Sequence, residues 1–314
     1  MKTKRPGLGI ALAFFGALLF GLNASTSKVI MQSGVTAEQI VIFRSLATAL
    51  LAAAVLVFTK PQAFRVHKSE WKFLISFGIF GVALMQWAYS NAVNNLPIGI
   101  ALLIEYTAIV LVPLVSILLF KEKVHPRLWF GVVLVLGGLV VVSEIWKGGL
   151  NPIGVLFAVG AAIFLTVYFI MGERSHRNRD PISTLFYTML ISTVFWLIAS
   201  PWWTFDISRL STALNLGGNL ASYELPAWMV LLWLGVMGSF MPMMLSYVAL
   251  GHLSATTVGV VSTAETVFAF LFGYLWLAEK ITGLQSVGGL LVLSGILIAQ
   301  TSRLARAKAL IIKE

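Results

Sequence analysis

The sequence predicts an all-α integral membrane protein with ten transmembrane helices. Of its 314 residues, 59% are hydrophobic and only 11% are charged, whereas soluble domains carry about 25% charged residues. Apolar runs of about 17 residues or more recur along the whole chain, and each is long enough to cross about 30 Å of hydrocarbon as a helix. The alternating segments of about ten residues that a transmembrane β-barrel requires do not occur.

Each predicted helix has a defined place along the chain. The spans cover residues 8–31, 37–58, 73–94, 97–120, 127–145, 152–172, 181–201, 226–249, 253–278 and 283–301. The opening MKTKRPGLGIALAFFGALLF has the basic and apolar regions of a signal peptide, but no small-residue cleavage site follows it. We therefore expect the first span to remain in the protein as an uncleaved helix.

The basic residues predict the orientation of these spans. With a cytoplasmic N-terminus, 17 of the 22 Lys and Arg residues fall in cytoplasmic segments and three fall in outer loops. Cytoplasmic loops of membrane proteins carry such an excess of basic residues. Both termini are therefore predicted to be cytoplasmic, in a multi-pass protein of the inner (plasma) membrane. The net charge of +10 follows from this topology and does not indicate nucleic-acid binding.

Composition and motifs argue against an enzyme. The chain has no cysteine, which excludes disulfides and thiol chemistry. Its four histidines lie in predicted loops or at helix ends without metal-ligand spacing, and its two aspartates lie in loops. GxSxG, HExxH and P-loop motifs do not occur. We therefore expect no metal, no cofactor and no ATPase subunit, and we keep proton coupling as a candidate source of energy.

Two stretches of the chain repeat each other. Residues 90–145 and 247–302 match at an offset of 157 residues, each with an apolar helix, an acidic residue in FKEKV or LAEKI, and a glycine-rich helix. Identical pairs are Ala92/Ala249, Leu96/Leu253, Glu122/Glu279, Leu134/Leu291, Leu136/Leu293 and Gly138/Gly295. Because each half has an odd number of spans, the second enters the membrane from the opposite side. Such inverted repeats are typical of transporters, so we predict two five-helix repeats, residues 1–147 and 148–314, around a central cavity.

Three segments resemble a known family. Residues 20–51 read FGLNASTSKVIMQSGVTAEQIVIFRSLATALL, a small-residue-rich helix followed by a helix with an arginine. Residues 101–124 read ALLIEYTAIVLVPLVSILLFKEKV, and residues 261–298 read VSTAETVFAFLFGYLWLAEKITGLQSVGGLLVLSGILI. In this order they resemble EamA-type transporters of the drug/metabolite transporter superfamily, and residues 101–124 resemble its amino-acid-exporter branch. Ile109 and Thr266 stand where that family usually has proline, so the resemblance does not itself predict kinks there.

The resemblance implies ten helices, a central substrate cavity and alternating access, commonly with export of amino acids, related metabolites or toxic organic compounds. The leading hypothesis is a secondary transporter that exports a small amino acid or related compound. Its partners would be that small-molecule substrate and the lipid bilayer, and it would be a monomer or homodimer. The alternatives are an uncoupled facilitator or importer of the same fold, and a membrane-embedded binding or scaffold protein without turnover.

One carboxylate, Glu105, stands inside the apolar stretch ALLIEYTAIVLV. It lies about 12 Å into the fourth span, and Arg44 lies about 10 Å into the second from the same side, at 1.5 Å per residue. An unpaired charge near the bilayer centre costs about 2.5–3.5 kcal/mol, so we expect the two to form a pair or share a water-filled cavity. Glu105 would then bind a substrate ammonium or carry a coupling proton, with Arg44 orienting it or binding a substrate carboxylate. The alternative is a structural ion pair between helices.

Further polar and aromatic residues are candidates for the cavity wall. Glu265, near the middle of the ninth span, is expected beside the hydroxyls of Ser262, Thr263 and Thr266, in a functional or a structural role. Lys28, close to a helix end, is expected to extend its ammonium to the interface. Glu122 and Glu279, at helix ends, are expected to cap those ends or to pair locally with neighbouring lysines, as markers of topology and not as sites. The remaining candidates for substrate binding are Asn23, Gln86, Trp87, Tyr89 or its neighbour Ser90, Tyr106 and Tyr247.

Overall fold

The structure is a computed structural model that describes residues 5–108, 110–112, 115, 127–144, 146, 149–250, 252, 258 and 261–311. Almost all of these residues are helical. The helices are α1 (Pro6–Gln32), α2 (Ala37–Thr59), α3 (Lys68–Asn95), α4 (Ile98–Glu105), α5 (Arg127–Ser143), α6 (Pro152–Asn178), α7 (Pro181–Ala199), α8 (227–250), α9 (Ala264–Leu275) and α10 (Gly283–Ile311). The prediction of a mostly helical membrane protein is confirmed.

Six of these helices are long and apolar enough to cross a membrane: α1, α2, α3, α6, α7 and α8. Shorter apolar stretches occupy α4, α5, α9 and α10. Several of the described helices begin and end close to the predicted spans, but α6 continues to Asn178 and α10 to Ile311, past the predicted ends at 172 and 301. Parts of the predicted spans 97–120 and 253–278, and Glu122 between two spans, lie outside the described residues.

Two of the helices contain a π-helical turn. Residues Phe77–Ala83 of α3 and Val236–Phe240 of α8 are π-helix. Residues 79–83 coincide with 236–240 at the repeat offset of 157. The same rare distortion therefore occurs at the same place in the third helix of each half. Such turns are frequent at functional sites, and nothing in the local sequence predicted either of them.

Helices α5 and α10 pack against each other through their glycines. A Cβ atom on Gly138 would lie 2.8 Å from the carbonyl oxygen of Gly288, and one on Gly295 would lie 2.7 Å from that of Gly131. The partner number falls as the residue number rises, so the helices are antiparallel. Gly131 and Gly138 of α5 occupy the repeat positions of Gly288 and Gly295 in α10. The two backbones therefore touch at two equivalent points.

The other contacts between the halves also occur in matching pairs. Helix α1 packs on α8 and α9, and α6 packs on α3 and α4. Likewise α2 packs on α8, α7 packs on α3, and α2 and α7 pack on each other. Every residue of the short helix α4 is buried. The centre of the bundle is thus formed where α4 and α9 meet the helices around them.

The two ends of the bundle carry different connections. At one end, residues 202–226 form a hairpin loop with two short antiparallel strands, β1 (Ala213–Asn215) and β2 (Glu224–Pro226). Arg209 of this loop donates to the carbonyls of Ser33 and Gly34 in the α1–α2 turn. We call this end the hairpin face. At the opposite face, Lys60 pairs with Asp180, and Arg179 pairs with Glu70 at 2.9 Å.

Candidate functional site

Arg44 of α2 lies deep in the bundle. Its side chain is 4% exposed, and its Nε donates a hydrogen bond of 2.8 Å to Ser239 Oγ. Ser239 belongs to the π-helical turn of α8. Arg44 Nη1 is buried and has no hydrogen-bond partner among the described residues. The guanidinium is therefore held by one nitrogen and leaves another free to bind an acceptor.

The predicted ion pair between Arg44 and Glu105 is not formed. Glu105 is the last residue of α4 and is 5% exposed. Where the structure describes both partners of an ion pair, neither residue takes part in one. Arg44 nevertheless interacts electrostatically with Glu105, Glu265 and Tyr89. The sequence left open an ion pair or a shared water-filled cavity, and the ion pair is the alternative that the structure does not form, because depth along a helix does not give the direction of a side chain.

Both α4 and α9 are interrupted beside this region. Helix α4 ends in a turn at Tyr106 and Thr107, where the Thr107 N–H and hydroxyl both donate to Ile104 O, at 3.1 and 2.7 Å. Helix α9 begins after a turn at Thr263, which is equivalent to Tyr106 at the repeat offset. The breaks therefore occur without the proline that the family usually has. Irregular backbone at membrane depth is tolerated only where it is buried or lines a cavity.

Tyr106 connects the two interrupted helices. Its hydroxyl donates a hydrogen bond of 2.5 Å to Glu265 Oε2. The expectation that Glu265 lies beside the hydroxyls of its own helix missed this contact, because the partner comes from the other half of the chain. The Tyr106 ring is 8% exposed. One phenol and one carboxylate thus join the first and second halves at the centre of the bundle.

Several other buried polar atoms have no hydrogen-bond partner within the described parts of the chain. They include Ser25 Oγ, Thr48 Oγ1, Gln86 Oε1, Tyr89 Oη, Ser90 Oγ and Thr266 Oγ1. They belong to α1, α2, α3 and α9, four helices that converge on the centre. A buried polar group without a partner costs a few kcal/mol, and such groups call for an explanation in a native protein. A polar solute or water at the centre would satisfy them.

The remaining predicted residues divide between this cluster and its surroundings. Asn23 is 3% exposed and faces the π-helical turn of α8, where a Cβ on Gly238 would lie 2.7 Å from Asn23 Oδ1. Gln86 points to Met189 of α7, at 3.6 Å from Nε2 to Sδ. Trp87 lies apart, because its indole donates to Glu38 at 2.6 Å and its ring packs on other aromatic residues.

We define the polar centre as Arg44, Tyr89, Glu105, Tyr106, Ser239 and Glu265. Sequence reasoning identified all of these except Ser239, which carries no motif and becomes recognisable only through the π-helical turn that presents it. Tyr247 lies in α8, and its side chain is outside what the structure describes. Among the described residues, no group of three or more acidic, histidine or cysteine side chains could hold a metal ion.

Comparison with known proteins adds to this geometry. The EamA-like transporter family matches two segments of the chain, residues 7–144 and 152–301. The threonine/homoserine exporter RhtA of Salmonella typhimurium strain SL1344 is 24% identical over 269 residues, covering 84% of this chain and 80% of that protein.

Other relatives have similar sequence identity and coverage. RhtA of Escherichia coli K12 is 24% identical over 283 residues, which is 88% of this chain and 83% of that protein. The uncharacterized transporter YvbV of Bacillus subtilis strain 168 is 22% identical and covers 99% of this chain and 97% of its own. A protein of known crystal structure superposes with a TM-score of 0.65 at 19% identity, over 94% of this chain and 97% of that one. This last likeness concerns the fold alone.

Proposed function

Because the chain belongs to the EamA-like transporter family, and is therefore a multi-pass membrane transporter and not an enzyme, we propose that it exports a small amino acid or related compound by alternating access. It does so as a secondary transporter of the inner membrane, with both termini in the cytoplasm. The function for which its RhtA relatives are named, export of threonine and homoserine, supports this class of substrate and this direction. The chain works as a monomer or homodimer, without an ATPase subunit.

The architecture in this proposal is a pair of inverted five-helix repeats, residues 1–147 and 148–314. Three observations support it. The π-helical turns of α3 and α8 and the interruptions of α4 and α9 occur at equivalent positions. The contacts between the halves occur in matching pairs. The equivalent helices α5 and α10 are antiparallel, as inversion requires. Two such halves can exchange conformations and open a central site to either side.

The observation that carries the proposal is the buried guanidinium of Arg44, with Nη1 free and two carboxylates in its field. A free buried guanidinium nitrogen binds a carboxylate well, since charge-assisted hydrogen bonds are the strong ones. An amino acid supplies that carboxylate, and its ammonium requires an acceptor such as Glu105. Tyr89 and Asn23 then border the substrate. Arg44, Glu105 and a zwitterion together carry no net charge, provided that Glu265 holds a proton.

Glu265 is the group we assign to proton coupling. It is the carboxylate that bridges the two halves, through the hydroxyl of Tyr106. Gaining or losing a proton changes which partner donates in this contact, so protonation can alter how α4 and α9 sit against each other. An uncoupled facilitator of the same fold would instead move substrate regardless of the proton gradient, and a scaffold would move nothing.

Efflux from preloaded cells tests this function. Cells expressing the wild type, Glu105→Gln or empty vector at equal membrane abundance are loaded with a panel of amino acids that includes threonine and homoserine. We expect one of these solutes to leave faster with the wild type, and Glu105→Gln to slow its export at least about tenfold through loss of a charge-assisted contact. Glu224→Gln is the matched control, because Glu224 is exposed in β2.

Two outcomes would contradict the proposal. Export by Glu105→Gln at the wild-type rate would remove Glu105 from the site. A panel in which no solute leaves faster with the wild type than with empty vector would contradict amino-acid export. Dissipating the proton gradient separates the coupled transporter from the facilitator, since only the coupled transporter slows.

A further inference from the structure

Lys28, whose ammonium is expected to reach the interface, forms a largely buried ion pair at the hairpin face. Its ammonium forms a salt bridge of 2.7 Å with Glu279 Oε1 and donates a hydrogen bond of 2.9 Å to the carbonyl oxygen of Leu96. The side chains of Lys28 and Glu279 are only 14% and 11% exposed. Glu279 does not pair with its neighbour Lys280. The two charges instead satisfy each other across 251 positions of sequence.

Glu279 has a second role at this contact. Its Oε2 accepts a hydrogen bond of 2.9 Å from the backbone N–H of Ile98, the first residue of α4. The residue before it, Pro97, provides no side-chain cap. A carboxylate at a helix N-terminus is favoured by the helix dipole. Glu279 therefore caps the helix that carries Glu105 at its other end.

The position of Glu279 is fixed by its surroundings. Its carboxylate lies directly over Gly273 of α9, where a Cβ atom would come within 2.6 Å of Oε2. The turn before it is held by the hairpin loop, since Asn219 donates to the carbonyls of Leu275 and Trp276 at 3.0 and 2.8 Å. The small Gly273 therefore leaves room for the carboxylate, and the hydrogen bonds from Asn219 fix the helix end that places it beside Lys28 and Ile98.

These contacts join three elements from both halves at the hairpin face: α1, the α3–α4 corner and the turn after α9. From Ile98 to Glu105, α4 spans about 10 Å. The charged contact therefore lies at the hairpin face, one length of α4 away from Glu105 in the polar centre. Opening a path on this side requires α1 and α4 to separate from the end of α9, which breaks this contact.

We propose that the contact of Lys28 with Glu279, at the hairpin face, is the gate that closes the polar centre on that side. The ion pair and its two backbone hydrogen bonds hold the path shut. When the path opens, water replaces these partners and hydrates both charges, so the open state is accessible. The proposal rests on alternating access as stated above, but closure can be measured without any transport.

Cysteine labelling tests the gate in the absence of substrate. The chain has no cysteine, so a single one can be introduced as Ser90→Cys, at a fully buried position of α3 that lies about 9 Å along the helix from Leu96. A membrane-impermeant thiol reagent is added to whole cells or inside-out vesicles, whichever labels Ser211→Cys in the exposed hairpin loop. We expect Glu279→Gln and Lys28→Met each to speed labelling of Ser90→Cys about tenfold.

The matched control breaks an ion pair at the other end. Lys60→Met removes the Lys60–Asp180 pair, which also links the two halves but lies at the opposite face. It should leave the labelling rate unchanged. Lys28→Arg, which keeps the donors, should also stay close to the wild-type rate. Thermal unfolding of each variant shows that it is folded.

The charge reversal Lys28→Glu with Glu279→Lys gives a sharper result. A plain salt bridge would be restored by reversal. This contact should not be, because a lysine at 279 cannot accept from the Ile98 N–H and a glutamate at 28 cannot donate to Leu96 O.

Unchanged labelling in both single variants, or equal acceleration by Lys60→Met, would overturn the gate. Because labelling needs no substrate, a gate that works in a protein that exports nothing would contradict only the transport proposal.

Discussion

Two regions of the bundle are packed in opposite ways: the α5–α10 contact is close and apolar, whereas the polar centre holds buried polar groups. At the α5–α10 contact, glycines bring two backbones together, and a single added Cβ would collide with a carbonyl oxygen. At the polar centre, Arg44 Nη1 and Tyr89 Oη are buried and have no hydrogen-bond partner among the described residues. The first region contributes stability, because close packing drives helix association in lipid. The second leaves buried polar groups without partners at a cost in stability, and it is the region that we propose as the substrate site.

The largest expected effect is at the polar centre. Arg44→Gln removes the free guanidinium nitrogen, so transport should fall about 100-fold, as expected for a lost charge-assisted contact of about 3 kcal/mol. The fold should survive, because Arg44 takes part in no ion pair among the residues that the structure describes. Flux in proteoliposomes and thermal unfolding in detergent measure the two properties separately. Arg65→Gln is the control, since Arg65 is exposed. Unfolding of Arg44→Gln together with loss of flux would instead place Arg44 in the scaffold.

The α5–α10 contact should show the reverse pattern. Gly138→Ala places a methyl group 2.8 Å from Gly288 O, so the helices must move apart, and we expect about 1–3 kcal/mol of destabilisation. Gly137→Ala is the neighbouring control, because nothing lies within 4 Å of its added Cβ. Flux per folded molecule should change little in either variant. Equal melting temperatures for the two variants would show that the helices do not touch in this way.

The smallest effect concerns Asp180, at the opposite face. Burial raises the pKa of its carboxyl, but hydrogen bonds from Lys60 and from the N–H groups of Ser183 and Ile182 outweigh this and hold that pKa below its usual range. Because the folded-state pKa is lowered, the ionised carboxylate stabilises the fold at neutral pH. That contribution is lost as the pH falls below about 4, through the folded pKa.

Asp180→Asn should therefore destabilise the protein slightly at pH 7. The amide can still cap α7 but loses the charge that pairs with Lys60, so we expect about 1 kcal/mol or less. The difference from the wild type should shrink at about pH 3.5, where the wild-type carboxyl is also becoming protonated. Melting curves at both pH values measure it. A difference that grows toward low pH would contradict the lowered pKa.

The sequence predicted the architecture better than the contacts. Spans, repeat offset and family were readable because hydropathy, charge and glycine spacing are local properties of the chain. Depth in the membrane could also be computed, and it predicted similar depths for Arg44 and Glu105. Depth does not fix the rotation of a helix about its axis, however. For that reason the partner of Glu265 was sought on its own helix, while the structure shows it to be Tyr106.

The same limit explains the residues that were assigned no role. Lys28 and Glu279 are 251 positions apart, and only the packing of α1 against the end of α9 brings them together. Ser239 acquires its position from a π-helical turn that replaces regular helix geometry. Long-range contacts and local distortions depend on tertiary packing, which overrides local sequence preference.

The central claim is that Arg44 binds the carboxylate of an amino-acid substrate, and one competition experiment tests it directly. Purified wild-type protein is reconstituted, and uptake of the radiolabelled amino acid identified by efflux is measured against unlabelled amino acid and against its carboxamide, which lacks the negative charge. The account predicts that the amino acid competes and that the carboxamide competes at least about tenfold more weakly. Equal competition by the two compounds would contradict it.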